Sequence, residues 1–219
     1  MTTPADDRTG ASPEVRLADA SERAVISEAL AAAFFDDPVM SWILPDDAQR
    51  PRRLAGLFGV LMKGHYLPLS AVWTTPELAG AALWGPPGHA VVPTSAIVRN
   101  AVGMLRALGT HAARALRALT HVEHLHPTEP HWYLGVLGTR PERQGTGVGS
   151  ALLRPVLARC DEEGLPAYLE SSKESNIAFY RRHGFEVTGE IPLPGDGPTV
   201  WPMWRAPRPP GAGERLEPS

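Results

Sequence analysis

At 219 residues the chain has room for one domain with a full core, and its hydrophobic and charged fractions, 43% and 21%, are those of an ordinary soluble globular protein. A net charge of −3 argues against a surface built for nucleic acid or an anionic membrane. One cysteine, Cys160, leaves no internal disulfide framework and fits a reducing cytosol. The start, "MTTPADDRTGASPE", has no apolar leader, and nowhere do about 18 apolar residues run together, so the protein is expected to be cytoplasmic, with no membrane partner. Residues 1–13 and 207–219, rich in proline, glycine and charge, read as disordered tails around a single domain at 14–206.

Along the chain, "VRLADA" (15–20) reads as a short alternating strand. "SERAVISEALAAAFFDDP" follows as a helix capped by Ser21 and stopped by Asp36-Asp37-Pro38. A second helix spans 51–66, with Leu54, Leu57, Phe58, Leu61 and Met62 on one face. "AVWTT" and "LAGAALW" are two strands around the turn at Pro76-Glu77. Residues 94–121 are helical in two pieces broken near Gly109, and "VEHLHPTEPH" reads as a loop. "HWYLGVLGT" (131–139) is a strand, "RPERQGTGVG" a loop, and "SALLRPVLARCDEEG" a helix that Pro155 should kink. "PAYLESS" (166–172) is the next strand, and "ESNIAFYRRHG" a short helix ended by Gly184. "FEVTGEI" and "TVWPMWRA" close the chain as an antiparallel pair. The order is mixed α/β with one βαβ crossover at 132–172.

Gly145, Gly147 and Gly149 stand at every second position before a helix. Bare amides there, backed by the helix dipole, make a ready anion site, and glycine lets a diphosphate approach the backbone. An ATP-type loop needs Lys-Ser/Thr after its last glycine, where this chain has Ser150-Ala151. A dinucleotide site is the serious rival, with Glu170 posing as its ribose acid. The spacing G-x-G-x-G, the polar residues between strand and glycines, and the antiparallel strands that follow count against it.

"QGTGVG" (144–149) is similar to the Q/R-x-x-G-x-G/A signature of the GNAT-type N-acetyltransferase superfamily, with "NIAFYRRHGFEV" at the family's usual separation. More narrowly, "EPHWYL", "QGTGVGSALL", "PAYLESS", "NIAFYRRHGFEVTGE" and "GPTVWPMWR" resemble the puromycin N-acetyltransferase-like branch. That likeness covers residues 129–205 well and the N-terminal half only in outline. The resemblance implies a single GNAT-like domain: a mixed, mostly antiparallel sheet of six to seven strands, splayed at a central parallel βαβ unit and flanked by helices. It implies acetyl transfer from acetyl-CoA to an amine by direct attack in a ternary complex. The acceptor would be a small molecule, with a protein amine the alternative, and the enzyme a monomer or homodimer.

The same resemblance lays pantetheine along Leu137, Gly138 and Thr139, with Gly138 at a bulge that opens the slot. It places the pyrophosphate on Gln144, Gly145, Thr146, Gly147, Val148, Gly149 and Ser150, and has Asn176 hydrogen-bond the pantetheine arm. Tyr180 becomes the acid for the leaving thiolate, and Glu170 the base or the holder of a cationic amine. The acetyl-CoA module could also persist without catalysis, as a sensor. Five of the eight histidines fall between His111 and His131. His121, His124 and His126 lack a metal motif's spacing, so no metal is expected, and the segment reads as cleft lining or solvated loop. The six tryptophans read mostly as core.

Overall fold

Strand β4 (Trp132–Thr139) runs through the centre of the sheet, its residues alternately buried and half-buried. The computed structural model describes residues 12–90 and 93–208. Beside β4 lies β3 (Gly80–Gly85), antiparallel and buried at every position. Its period of two sends Ala81 and Leu83 into one core and Ala82 and Trp84 into the other. The remaining strands are β1 (Arg16–Leu17), β2 (Val72–Thr74), β5 (Ala167–Ser171), β6 (Glu186–Val187), β7 (Ile191–Pro192) and β8 (Thr199–Arg205). They are ordered β1-β2-β3-β4-β5-β8-β6, with β7 also on β8. Among the described strands only β4 and β5 pair in parallel. This is the expected mixed sheet, with one strand more because "FEVTGEI" divides into β6 and β7.

The helices are α1 (Arg23–Ala33), α2 (Pro38–Ile43), α3 (Arg50–Leu61), α4 (Thr94–Arg99), α5 (Ala101–Leu108), α6 (Ala112–His124), α7 (Val148–Glu163) and α8 (Ile177–Arg182). Asp19, not Ser21, caps the first turn, in a capping box with Glu22. Asp36-Asp37-Pro38 does more than stop α1. The Asp37 side chain accepts the Met40 N–H at 3.0 Å and Pro38 opens α2, a helix missed in the sequence. Helix α3 continues into a π-helical turn, Met62–Tyr66. The 94–121 region breaks at Asn100 as well as at Gly109, and α6 extends to His124.

One core joins α1, α3 and α5 to the sheet through Ile26, Leu30, Leu54, Phe58, Leu108, Leu83 and Val136. The other seats α7 on the opposite face through Leu152, Leu153, Val156, Leu157 and Cys160. Each such fully buried aliphatic stabilises the fold by roughly 1.5–3 kcal/mol. Helix α7 passes through Pro155 without interruption. Burial pushes the Cys160 thiol up to about 12, which makes it a packing residue. Arg205, itself buried, forks onto Asp161 at 2.8 and 2.7 Å and so ties β8 to α7. The tail readings for 1–11 and 209–219 lie outside the described residues. Arg208, just before them, donates its backbone N–H to Asp161 at 2.7 Å.

Candidate active site

Strands β4 and β5 pair only at Trp132↔Ala167 and Tyr133↔Tyr168, and then diverge. The register against β3 jumps from Leu83↔Val136 to Trp84↔Leu134, which makes Gly135 the extra residue of a bulge. The expected bulge at Gly138 is therefore three residues too late. A Cβ on Gly135 would lie 2.2 Å from the Tyr66 hydroxyl, so the missing side chain admits the end of the π-helical turn. Gly138 is bare for a different reason. Its Cβ would meet Leu30, Ala33 and Phe34 at 2.9–3.1 Å, so it lets α1 sit close on the strand.

The divergence opens a cavity of about 530 Å³. Leu137, Gly138, Thr139, Gln144, Gly145, Gly147, Val148, Gly149, Ser150, Asn176, Glu170 and Tyr180 all line it. Thr146 does not, because its hydroxyl turns back to the Arg143 carbonyl at 2.7 Å and the residue is exposed. Gly145 and Gly147 have φ of +75° and +84°, a region L side chains avoid. Gly147 is the N-cap of the sixteen-residue α7 and offers no capping side chain. The first amides of that helix thus face the cavity with the positive dipole end behind them. Gln144 braces the loop by donating its amide to the Thr139 carbonyl at 3.1 Å. Arg143, Lys173 and Arg182 add positive charge at the lining.

Tyr180 is buried, and burial with the nearby Asp37 charge pushes its phenol well above its usual value, so it keeps its proton. Asn176 stands at the N-cap of α8, but its side chain makes no capping bond. Asp37 is a lining residue that sequence reasoning passed over. It is 3% exposed and accepts the Ser172 hydroxyl, and burial raises its pKa. With Asp36, which pairs with Lys173 at 2.8 Å, it clasps the α1–α2 connection to the end of β5. The signal was an Asp-Pro pair, which opens helices as readily as it ends them.

Glu170 occupies the inner corner. Its Oε2 accepts the Tyr133 hydroxyl at 2.8 Å. Among the described residues its buried Oε1 has no hydrogen-bond partner, although His126 Nδ1 lies 3.4 Å away. An ionisable oxygen buried beside a cavity without a donor costs energy unless a ligand supplies one. Burial and the Glu170 charge push the phenols of Tyr66, Tyr133 and Tyr168 upward, so they face the carboxylate as protonated groups. The histidine segment is thus split: His126 and His131 are packed behind Glu170, while His121 and His124 are exposed. Among the described residues no group of three or more His, Cys, Asp or Glu could hold a metal.

This sheet is not doubly wound. A single parallel pair between antiparallel neighbours lacks the crevice on which dinucleotide binding depends. The acetyltransferase (GNAT) family model matches residues 65–185. An uncharacterized N-acetyltransferase of Schizosaccharomyces pombe is 30% identical over 182 residues, which cover 78% of this chain and 73% of that one. An L-methionine sulfoximine/L-methionine sulfone acetyltransferase of Pseudomonas aeruginosa is 36% identical over 59 residues, 26% of this chain and 34% of its own. A Corynebacterium glutamicum crystal structure, described as histone acetyltransferase HPA2 and related acetyltransferase, superposes with a TM-score of 0.68. It is 29% identical and the match covers 92% of this chain and 99% of that one. Motif, splayed sheet and relatives agree, and the chain belongs to the GNAT acetyltransferase family.

Proposed function

We propose that the protein moves an acetyl group from acetyl-CoA to the amine of a small molecule, by direct attack while both substrates are bound. The observation that carries this reading is Glu170 Oε1: a buried carboxylate oxygen without a donor, on the same cavity as the bare helix start and the protonated Tyr180. An ammonium or amine N–H supplies the missing donor.

The diphosphate would sit on the amides of Gly145 to Ser150, with Arg143 and Arg182 near its charge, and the pantetheine arm would follow Leu137, Gly138 and Thr139 toward Asn176. Thr146 contributes through its backbone alone, because its hydroxyl turns back to the Arg143 carbonyl. Glu170 holds the amine and receives its proton, so that the nitrogen lone pair can attack the thioester carbonyl. As the C–S bond breaks, the Tyr180 hydroxyl donates a proton to the leaving sulfur. The branch resemblance and a cavity lined by the end of α1, by Asp37 and by α8 support a small acceptor, and the absence of a membrane-spanning helix among the described residues fits work in the cytoplasm. A protein amine is the second reading, favoured by the name of the Corynebacterium relative.

The test is a thiol-release assay with acetyl-CoA across small amines, amino acids and peptides. Turnover with a small amine, and none with peptides, is expected. Turnover confined to peptides would replace the acceptor class, and no thiol release with any amine would contradict the reading.

A further inference from the structure

Behind Glu170 the hydrogen bonds specify where protons sit. His131 Nδ1 lies 2.6 Å from the Glu129 carbonyl, which only accepts, so Nδ1 carries the hydrogen. Burial depresses the His131 pKa, and in the neutral ring Nε2 is then an acceptor. His126 Nε2 lies 3.0 Å from that Nε2 and must be the donor. With its hydrogen on Nε2, a neutral His126 turns a bare Nδ1 toward Glu170 Oε1, 3.4 Å away, and both side chains are 8% exposed. Two acceptor atoms thus face each other in a buried corner. A proton placed in the gap between them is within reach of both atoms at once.

We propose that Glu170 and His126 act together as the base, sharing the proton taken from the acceptor amine, and that His131 is the positioning residue that fixes the His126 tautomer. The inference rests on the acetyl-transfer reading. Across the reaction an ammonium nitrogen loses two protons and forms the C–N bond, while the C–S bond breaks and one proton reaches sulfur. The other has to leave, and the Glu170–His126 pair holds it until product departs and water takes it. Other groups face the pair and His131: Glu123 from α6 beside His126, Glu129 from the loop beside His131, and Tyr133 from β4, Tyr168 from β5 and Tyr66 from the π-helical turn around Glu170. The tyrosines stay protonated and meet the pair as neutral groups.

The experiment compares the full-length wild type with His126→Phe and His126→Gln, using acetyl-CoA and the best amine of the panel. The phenyl ring retains the edge contacts that His126 makes at 4.8 Å with Tyr133 and 4.9 Å with Tyr168, so a packing role survives in that variant. Both variants should lose about 10²-fold in kcat at neutral pH. The acid limb of kcat/KM should move as well, because the proton then rests on a carboxylate alone. Acetyl-CoA affinity should be unchanged in calorimetry. Wild-type kcat and an unmoved acid limb in His126→Phe would overturn the shared base and leave acetyl transfer standing. A wild type that binds no acetyl-CoA and releases no thiol would overturn the acetyl-transfer reading, and the shared base with it.

Discussion

The glycine wall of the cavity comes from one continuous stretch, Leu137 to Ser150, completed by Asn176 and Tyr180 a short way downstream. The corner around Glu170 is assembled from four separate places: the π-helical turn at Tyr66, the loop at His126, His131 and Tyr133 just before and within the start of β4, and β5 at Tyr168 and Glu170. The first works through backbone amides and needs side chains to be absent. The second works through side-chain atoms and needs them in register. Substitutions in the two regions should therefore fail differently, the first in cofactor affinity and the second in rate and pH dependence.

The largest effect is expected on the glycine wall. Gly147→Val should take acetyl-CoA binding below calorimetric detection. The protein itself has room, since the nearest atom to a new Cβ is Pro13 Cδ at 3.8 Å. The loss would come from the space the diphosphate needs and from about 1–2 kcal/mol of strain at φ +84°. A folded valine variant that binds acetyl-CoA like wild type would break the assignment of this wall.

Tyr180→Phe should separate binding from chemistry. The ring still packs beside Phe179 and Phe185, so acetyl-CoA affinity should hold. The lost proton donor acts chiefly in the transition state and should lower kcat and kcat/KM together. A loss near the lower end of ~10²–10⁴-fold is expected, because a thiolate is already a good leaving group. Unchanged kcat, with chemistry shown to be rate-limiting, would remove Tyr180 from the mechanism.

The smallest effect sharpens the contrast between glycines. Gly138→Ala puts a methyl against Leu30, Ala33 and Phe34 and should cost about 1–3 kcal/mol in a denaturant melt. Acetyl-CoA affinity should fall far less than in Gly147→Val. Lost affinity at unchanged stability would mean that the ligand, not α1, requires the bare position.

This contrast also explains what the sequence made legible. The glycine loop, the crossover and the alternation of β4 are local patterns, and each is read from a few neighbouring residues. Thr146 shares the motif but turns away, because a motif specifies backbone and leaves a side chain free to find its own partner. The bulge was sought at Gly138 because two glycines lie three apart on one strand, and only Tyr66, from a distant segment, decides which one bulges. His126 and His131 read only as cleft lining or solvated loop, and it took the fold, bringing β5 against them, to set them behind Glu170. Asp37 was hidden by reading Asp-Pro as a stop alone.

The most direct test is calorimetric titration of the wild-type protein with acetyl-CoA, and in parallel with NADH, NADPH and ATP. The account predicts micromolar binding of acetyl-CoA and no comparable affinity for the other three. Tight nicotinamide binding, with no binding of acetyl-CoA, would contradict it.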